Sequence, residues 1–367
     1  MTSLFFYGTL CDPELLEIVL GRKADGISQA SLPNHQVYWA KEEPFPMIVS
    51  EDGATAYGVL VKDVTPEELG RLDFYEGGFD YKTVVLNTHS AGTDTQALVF
   101  FPVAGSWEVG PKWDLADWQT KWGRVVRRGA HEVMSYQGKV APSDIVEMYP
   151  AILSRAHSRL NASTTSKPST INANDVQIDA HRTPYAGFFN VEEYDLRFPK
   201  FQGGHSETVK RAVFRMADAV TVLPYDPARE KILLIEQFRI GPMARGDHAC
   251  WIYEPIAGRV DPAESYELTA KREAREEARL EVKQLHEISR SYPSPGSVTE
   301  FLVSFLAICD LTDDLLGVAG LESEAEDIRS HIFDLNEVLE MADSGLIRVT
   351  PLLASLYWLD RNRGKFA

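Results

Sequence analysis

Short apolar runs separated by polar and glycine-rich breaks dominate the first hundred residues. Runs of this length predict strands over residues 4–7, 56–61, 83–86 and 96–103. A helix signal follows the first run, because Asp12-Pro13-Glu14 supplies an N-cap, a proline at the first helical position and an acid in the first turn. We predict that this helix ends at Gly21 and that the first part of the chain is a β-rich domain with few helices.

Apolar and charged segments interleave in the second part of the chain. Strands are predicted over residues 219–223 and 231–237, with Pro224-Tyr225-Asp226-Pro227 as their connection, and over residues 301–308. A charged helix is predicted over residues 266–280. Strands that alternate with helices favour a mixed sheet flanked by helices.

A run of small and polar residues separates these two parts. Such a segment buries too little apolar area to offset the entropy lost on ordering, so we predict a linker over residues 161–178. The chain has 367 residues, against roughly 100 to 150 for a common domain. We therefore expect one domain over residues 1–160 and a second over residues 179–367.

Composition and charge narrow the classes of function. The chain is 44% hydrophobic and 25% charged, as expected of globular domains. A formal charge of -17 repels phosphate backbones, which argues against nucleic-acid or anionic-membrane binding, although the acidic excess also serves as a plain solubility feature. Cys11, Cys250 and Cys309 have no metal-site or disulfide spacing, and no leader or long apolar run is visible. We therefore expect a cytoplasmic protein that does not span a membrane.

Three acids share one face of the charged helix. Glu273, Glu276 and Glu277 are spaced i, i+3 and i+4, and like charges at these spacings destabilise a helix unless something neutralises them. A hard divalent cation such as Mg²⁺ would do so and would bring a phosphate-bearing substrate with it. The alternative, for the short string alone, is a solvated Glu/Arg surface helix.

The residues around these acids resemble the Nudix box. Seven positions fall in its register: Gly258, Glu264, Arg272, Glu273, Glu276, Glu277 and Leu280. Arg279 departs from it, because the family has a glycine there. The resemblance covers most of residues 183–367 and is greatest to the bacterial ADP-ribose pyrophosphatases, through Glu236-Gln237-Phe238-Arg239 and Ser294-Pro295-Gly296 among other strings. It implies an α/β/α sandwich with a mixed sheet.

The resemblance also implies roles for individual residues. Mg²⁺, with Mn²⁺ as a substitute, would be held by the Ala257 carbonyl, Glu273, Glu276 and Glu277. Glu277 and Glu324 would be catalytic, with Glu324 orienting or deprotonating the attacking water. The substrate-binding residues would be Arg239 at a phosphate, Phe188 and Arg211 beside the adenine across a dimer interface, Glu254 and Pro295. The products would be AMP and ribose 5-phosphate. From the residues alone, Glu324 also fits a solvated loop acid, and Phe188 a core residue.

A second candidate site begins at Tyr7-Gly8-Thr9-Leu10, between the first strand and the first helix. Its backbone N–H groups and the positive helix end suit a carboxylate, although an ordinary strand-to-helix turn has the same pattern. Together with Phe45-Pro46, residues 57–60 and the segment 72–82 around Glu76, this turn resembles the γ-glutamylcyclotransferase-like family over residues 3–103.

That second resemblance implies a β-barrel whose turn binds the γ-glutamyl group. Glu76 would be catalytic, moving a proton from the α-amine as it attacks the γ-carbonyl and releases 5-oxoproline. Glu76 as a plain turn acid remains the alternative.

We therefore expect a two-domain α+β or α/β protein that forms a homodimer and has two activities. One substrate is a nucleotide sugar, with ADP-ribose first and another sugar nucleotide as the alternative. The other is a γ-glutamyl amine or peptide, unless the N-terminal domain is a noncatalytic sensor or dimerisation module.

Overall fold

The computed structural model describes residues 2–23, 26–79, 81–165, 171, 173–187, 189–321 and 326–366. Its contacts divide the chain into two compact units. One contains Met1–Thr165 and the other contains Phe189–Ala367, with the short stretch between them divided between the two. Each unit is described below by itself.

The first unit is built on a closed barrel. Its strands are β1 (Thr2–Phe6), β2 (Ile27–Ala40), β3 (Pro46–Val64), β4 (Tyr81–Ser90), β5 (Thr93–Pro102) and β6 (Val109–Lys112). They pair in the order β3-β1-β5-β4-β2-β6, and β2 also pairs with β3, so the first five close on themselves. The β1–β5 pair is parallel, whereas its neighbours are antiparallel. The predicted barrel is confirmed, and each of the four predicted strands lies within or overlaps one of these.

Helices cover one side of this barrel. They are α1 (Pro13–Leu20), α2 (Pro66–Glu76), α3 (Leu115–Trp118), α4 (Arg124–Ser135) and α5 (Pro142–Thr165). Helix α1 begins and ends where predicted, with the Asp12 carboxylate accepting a hydrogen bond from Leu15 N and Gly21 at φ 80°. The expectation of few helices was wrong, because α4 and α5 pack Val126 and Ile152 into the same core as Leu15.

The second unit contains a mixed sheet and a smaller three-stranded one. The small sheet has the order β7 (Gln177–Ala186), β8 (Asn190–Arg197), β9 (Val209–Arg215). The larger contains β10 (Ala219–Asp226), β11 (Lys231–Phe238), β12 (Trp251–Glu254), β13 (Ile256–Arg259), β14 (Gln284–Ser291), β15 (Leu302–Ile308), β16 (Gly317–Ala319) and β17 (Ile328–Asp334). Its order is β14-β15-β10-β11-β17-β16, with β12 on β11 and β13 on β10. The β10–β15 pair is parallel and the others are antiparallel.

Helices lie on both faces of the larger sheet. They are α6 (Ile240–Arg245), α7 (Tyr266–Ala278), α8 (Leu335–Asp343) and α9 (Thr350–Asn362). Alternate residues of β11 lie on opposite faces of the sheet. Leu233 and Ile235 pack with α7, whereas Ile232 and Leu234 pack with α8 and α9. The predicted α/β/α sandwich is therefore confirmed.

Two sequence-based boundaries differ from the observed elements. Strand β10 continues through Pro224, Tyr225 and Asp226, so the predicted connection forms only after Asp226. Helix α5 runs to Thr165 and β7 begins at Gln177, while the 161–178 linker and the domain limits beside it stay predictions. None of the described helices is long and apolar enough to cross a membrane.

Candidate functional sites

Helix α7 carries the acids of the first candidate site. It begins after Ser265, whose hydroxyl accepts a hydrogen bond from Leu268 N at 3.3 Å. Its small residues Ala270, Ala274 and Ala278 are buried against the sheet. Glu273 and Glu277 flank this stripe at helical spacing, so both carboxylates are drawn into the interior, at 9% and 2% exposure.

Glu277 is the most deeply buried of the three acids. Its Oε2 accepts a hydrogen bond from Ala257 N in β13 at 3.1 Å. Burial raises the pKa of Glu277 well above its ordinary value, and the neighbouring Glu273 and Glu326 raise it further, against the opposing effects of the Ala257 N–H and Arg239. Among the described residues no cation forms an ion pair with Glu277, so this carboxylate is poised to accept one.

Arg272 already neutralises the other two acids. Its Nη1 donates to Glu273 Oε1 at 2.8 Å and to Glu276 Oε2 at 3.0 Å, and its Nε donates to Glu264 Oε1 at 3.2 Å. The premise that this acidic stripe requires a dication is therefore too strong, since an arginine on the same helix meets part of the requirement.

Gly258 makes room for the Glu273 carboxylate. A Cβ built at this glycine would lie 1.8 Å from Glu273 Oε1 and 2.0 Å from its Cδ, far inside van der Waals contact. Strand β13 and helix α7 can approach this closely only because residue 258 lacks a side chain. The close approach of the Glu273 carboxylate thus explains why the box has a glycine at residue 258.

Arg279 ends α7 in the conformation that the family assigns to glycine. Its φ and ψ are 52° and 31°, and Leu280 N donates to Ala274 O at 2.9 Å, so the last carbonyls are capped as they would be by a left-handed glycine. Arg279 Nη2 also donates to Val318 O at 2.8 Å. The helix therefore ends normally despite the departure at residue 279, because Arg279 takes the left-handed conformation and its side chain gains a partner.

The donor set at this site fits a hard divalent cation. Glu273, Glu276 and Glu277 supply only oxygen atoms, and Glu277 is buried without an ion-pair partner within the described ranges. In the part of the chain that is described, no group of three acidic, histidine or cysteine side chains is arranged so that it could hold a metal ion. The reason is visible: Arg272 holds Glu273 and Glu276, while Glu277 turns to the Ala257 N–H.

Arg239 lies at the edge of the same site. It follows β11, and its Nε donates to Glu254 Oε2 at 2.7 Å. Burial raises the pKa of Glu254 against the lowering effect of Arg239. Glu300, which the sequence analysis did not single out, also lies near Arg239, and its pKa is raised by burial. The guanidinium is thus positioned by two acids and remains 42% exposed, which leaves it accessible to an anion.

Two of the remaining predicted residues of this site are exposed to solvent, and two are not described. Arg211 is exposed on β9 and donates to the adjacent Lys210 carbonyl at 2.9 Å, and Pro295 is exposed in the loop after β14. Phe188 and Glu324 lie outside the described residues. Glu326 is close enough to raise the pKa of Glu277. It lies in the segment 324–329, which shares the resemblance to the pyrophosphatases, but the sequence analysis assigned it no role.

The second candidate site is a pocket in the first unit, enclosing about 720 Å³ including its open mouth. The structure places all five predicted residues around it: Tyr7, Gly8, Thr9, Leu10 and Glu76. Aromatic residues form most of the remaining wall. Those that sequence reasoning did not assign to a site are Phe5, Phe6, Phe45, Tyr75, Phe79, Tyr81, Phe100, Trp118 and Tyr149. Phe45, Tyr75, Phe79 and Tyr81 lie in the segments that resemble the γ-glutamylcyclotransferase-like family, so the sequence could have identified them. Tyr149 lies in none of those segments.

The turn at Gly8 is shaped by a close contact and a short helix. A Cβ at Gly8 would lie 2.5 Å from Pro46 Cγ, so only glycine fits against this proline. Residues Thr9–Cys11 form a single 3₁₀ turn whose first bond joins Cys11 N to Gly8 O. The Thr9 and Leu10 N–H groups come before that bond along the chain, so no carbonyl within the turn accepts a hydrogen bond from them. These two N–H groups could therefore bind an anion.

Glu76 ends α2 at the pocket wall. Burial raises its pKa to about 7. Its negative charge in turn opposes ionisation of Tyr7, Tyr75, Tyr81 and Tyr149, and this places the carboxylate among their hydroxyls. Within the described ranges no protein group hydrogen-bonds to the Glu76 side chain. A carboxylate with a pKa near neutrality suits proton transfer.

Comparisons with known proteins match one family model to each half of the chain. The model of the family described as "Gamma-glutamyl cyclotransferase, AIG2-like" matches residues 4–120, and that of the NUDIX domain matches residues 215–353. The chain is 36% identical over 192 residues to an ADP-ribose pyrophosphatase of Escherichia coli (strain K12), which covers 52% of this chain and 91% of that protein.

Two further similarities fall in the second half. A GDP-mannose pyrophosphatase of Shigella flexneri is 33% identical over 139 residues, 38% of this chain and 71% of that protein. A solved structure titled "Crystal structure of ADP compounds hydrolase" matches 54% of this chain and 98% of its own, with 18% identity and a TM-score of 0.43. By its sequence relatives and its box residues, the chain is a Nudix hydrolase in its second half, and its first half is similar to the γ-glutamyl cyclotransferase, AIG2-like family.

Proposed function

We propose that the second unit hydrolyses the pyrophosphate bond of ADP-ribose to give AMP and ribose 5-phosphate. The observation that carries this proposal is the buried Glu277, next to Glu273 and within electrostatic reach of Arg239. The relatives named ADP-ribose pyrophosphatase support the choice of substrate. The GDP-mannose pyrophosphatase relative supports another sugar nucleotide as the alternative.

Some residues of the site would bind the metal cation, and another would bind a phosphate of the substrate. Glu273, Glu276, Glu277 and the Ala257 carbonyl would hold Mg²⁺, for which Mn²⁺ can substitute. The bound ion would screen the two phosphates and favour ionisation of water. Arg239, held by Glu254 at 2.7 Å, presents its guanidinium to a phosphate oxygen. Glu324, on the segment between Leu321 and Glu326, would take the proton from the attacking water.

The first unit carries a second proposed activity, the cyclisation of γ-glutamyl compounds to 5-oxoproline. Glu76, with its pKa of about 7 and its place among aromatic side chains, favours this over a passive turn acid. The Thr9 and Leu10 amides would hold the substrate's α-carboxylate. Glu76 would accept a proton from the α-ammonium, and the freed amine would attack the γ-carbonyl. As the amide C–N bond breaks, the proton on Glu76 would pass to the leaving amine, and the second proton that the ring nitrogen loses would follow it, so that the amine departs as an ammonium.

Several further assignments extend this proposal. Phe188 and Arg211 would flank the adenine across the interface of a homodimer, Pro295 would contact the substrate, and the protein would act in the cytoplasm. A noncatalytic sensor or dimerisation role for the first unit is the competing proposal, and the experiment below decides between them.

Two substitutions in the full-length chain test both proposals at once. Glu277→Gln keeps the shape of the side chain but removes a carboxylate, so we expect AMP release from ADP-ribose with Mg²⁺ to fall by about 10²-fold or more while 5-oxoproline release is unchanged. Glu76→Gln should give the reverse pattern. Glu267→Gln, on the exposed face of α7, is the matched control and should alter neither rate.

The outcomes separate the two units. If Glu76→Gln alters nothing and no γ-glutamyl compound yields 5-oxoproline, the sensor proposal replaces the cyclotransferase. Hydrolysis of GDP-mannose in preference to ADP-ribose would replace the substrate but keep the chemistry. Full AMP release by Glu277→Gln would overturn the proposal for the second unit.

A further inference from the structure

A π turn lies beside the pocket of the first unit. Residues Gln119–Gly123 form it, and it joins α3 to α4, so that one helix runs without a break from Leu115 to Ser135. A π turn holds one more residue than a turn of α-helix, and such turns are rare and frequently found at functional sites. No residue of this turn has a role in the chemistry proposed above.

The π turn aligns residues that are eight positions apart on its two sides. In a regular α-helix such residues point about 80° apart, because eight steps of about 100° exceed two full turns by that angle. The extra residue of the π turn removes one step and leaves them about 20° apart. Trp118 and Val126 consequently both line the pocket. Gln119 and Arg127 likewise both donate hydrogen bonds to the Asp12 carboxylate.

Gln119 holds the turn that carries the anion-binding amides, and it does so through Asp12. Its Nε2 donates to Asp12 Oδ2 at 2.7 Å. Asp12 is 1% exposed, and its own N–H donates to Thr9 O at 3.0 Å, so this residue closes the 3₁₀ turn that contains Thr9 and Leu10. A displaced Asp12 would therefore reorient the Thr9 and Leu10 amides.

Trp118 holds a second part of the pocket wall. Its side chain is fully buried, and its Nε1 donates to Pro44 O at 3.0 Å. Pro44 begins the segment 44–46, which lines the pocket and contains the Pro46 ring that packs against Gly8. Two adjacent residues of one helix thus hold both this segment and the 3₁₀ turn.

We propose that Trp118 and Gln119 are positioning residues for the γ-glutamyl group, and that the π turn lets them hold the turn amides and the segment 44–46 at the spacing that binds this group. This inference rests on the proposed cyclotransferase site. The amides would hold the α-carboxylate before and during ring closure, so their displacement should weaken the binding of substrate and transition state alike. It should therefore raise KM and leave kcat nearly unchanged.

Substitution of Gln119 tests the inference. Gln119→Met keeps the size of the side chain but removes the donor to Asp12. With γ-glutamyl-ethylamide as the probe, we expect KM for 5-oxoproline release to rise by about five- to tenfold while kcat stays within about twofold. Trp118→Phe, which removes the donor to Pro44, should raise KM in the same way. Thr120→Val, at an exposed position of the same π turn, is the matched control and should leave both constants unchanged.

Calorimetry distinguishes failure of this inference from failure of the proposed activity. The Glu76→Gln protein should bind γ-glutamyl-ethylamide, and addition of Gln119→Met should weaken that affinity by about the same factor as it raises KM. If the probe binds with this loss but is not cyclised by the wild-type protein, the cyclotransferase proposal fails and the positioning role stands. A fall in kcat with KM unchanged, an affinity that Gln119→Met leaves within about twofold, or no binding of the probe would overturn the inference.

Discussion

The burial and the hydrogen-bond partners of a side chain in this protein depend more on its surroundings than on its position in a motif. Glu277 and Glu276 are one residue apart, yet the first is buried against β13 and the second is held by Arg272. The i, i+3, i+4 spacing predicted that the three acids share a face, and Glu273 and Glu277 do turn inward. Spacing could not show that Arg272 would reach Glu264, Glu273 and Glu276 together, because that depends on the path of the loop before the helix.

Glu76 gives a prediction at this scale. Its pKa is about 7 in the folded protein and about 4.5 when unfolded, so the folded state prefers the neutral acid. The stability that this preference adds is complete below pH 4.5 and is lost as the pH rises through 7. Glutamine stays neutral throughout. We therefore expect Glu76→Gln to raise the free energy of unfolding by about 1 to 3 kcal/mol at pH 8, and by less than about 1 kcal/mol at pH 5.

Urea unfolding followed by tryptophan fluorescence measures this difference. Five of the seven tryptophans lie in the first unit: Trp39, Trp107, Trp113, Trp118 and Trp122. Glu67→Gln, an exposed acid on the same helix, is the control and should change stability little at either pH. If Glu76→Gln raised the free energy of unfolding equally at pH 5 and pH 8, stability would not depend on the pKa of Glu76 as described.

At the scale of elements, one buried ion pair ties α1 to α4. Asp12 is 1% exposed, caps α1, and accepts hydrogen bonds from Arg127 Nε and Nη2, both at 2.9 Å, and from Gln119 Nε2 at 2.7 Å. Asp12 directly follows the 3₁₀ turn of the pocket. The position of that turn therefore depends on α4, more than a hundred residues later in the chain.

Removing the arginine should be costly. Arg127→Met leaves the Asp12 carboxylate buried without a cation, so we expect the free energy of unfolding to fall by about 3 to 5 kcal/mol. Arg128→Met, the exposed neighbour on the same helix, should cost less than about 0.5 kcal/mol. Both values come from urea titrations at neutral pH. Similar stabilities for the two variants would show that the pair is not what holds α1 to α4.

The elements themselves were partly predictable. Helix α1 and strand β1 were found from local signals, since a cap, a proline and a glycine act within a few residues. Helix α5 was not predicted. It continues through Pro150, a residue type that usually interrupts a helix, and Ser154 Oγ donates to Pro150 O at 3.1 Å. Closure of the barrel through the β2–β3 and parallel β1–β5 pairs was expected only by resemblance, since pairing between distant strands leaves no local pattern.

At the scale of the whole molecule, the open question is how many copies of the chain assemble. The small sheet of the second unit and its neighbourhood expose large apolar side chains, including Ile178, Tyr185, Phe201 and Phe214. Exposed apolar groups concentrated in one region favour burial against another surface. We expect that surface to be a second copy of this chain, as the resemblance to the pyrophosphatases implies.

Light scattering coupled to gel filtration measures the assembly. The mass should be near twice 41.1 kDa, and Ile178→Asp on β7 should shift it toward the single chain by placing a charge in the interface. Tyr57→Asp, at a more exposed position on the barrel, should leave the mass unchanged. A wild-type mass of 41.1 kDa would contradict the homodimer.

Gly258 separates two properties that mutagenesis of metal-dependent enzymes usually changes together. Substitution of a glutamate on α7 removes its negative charge, whether or not the shape of the side chain is kept. A methyl group at residue 258 would instead push the Glu273 carboxyl aside while leaving the formal charge of the protein as it is. A substitution at residue 258, on the neighbouring strand, can thus move the Glu273 carboxylate without removing it.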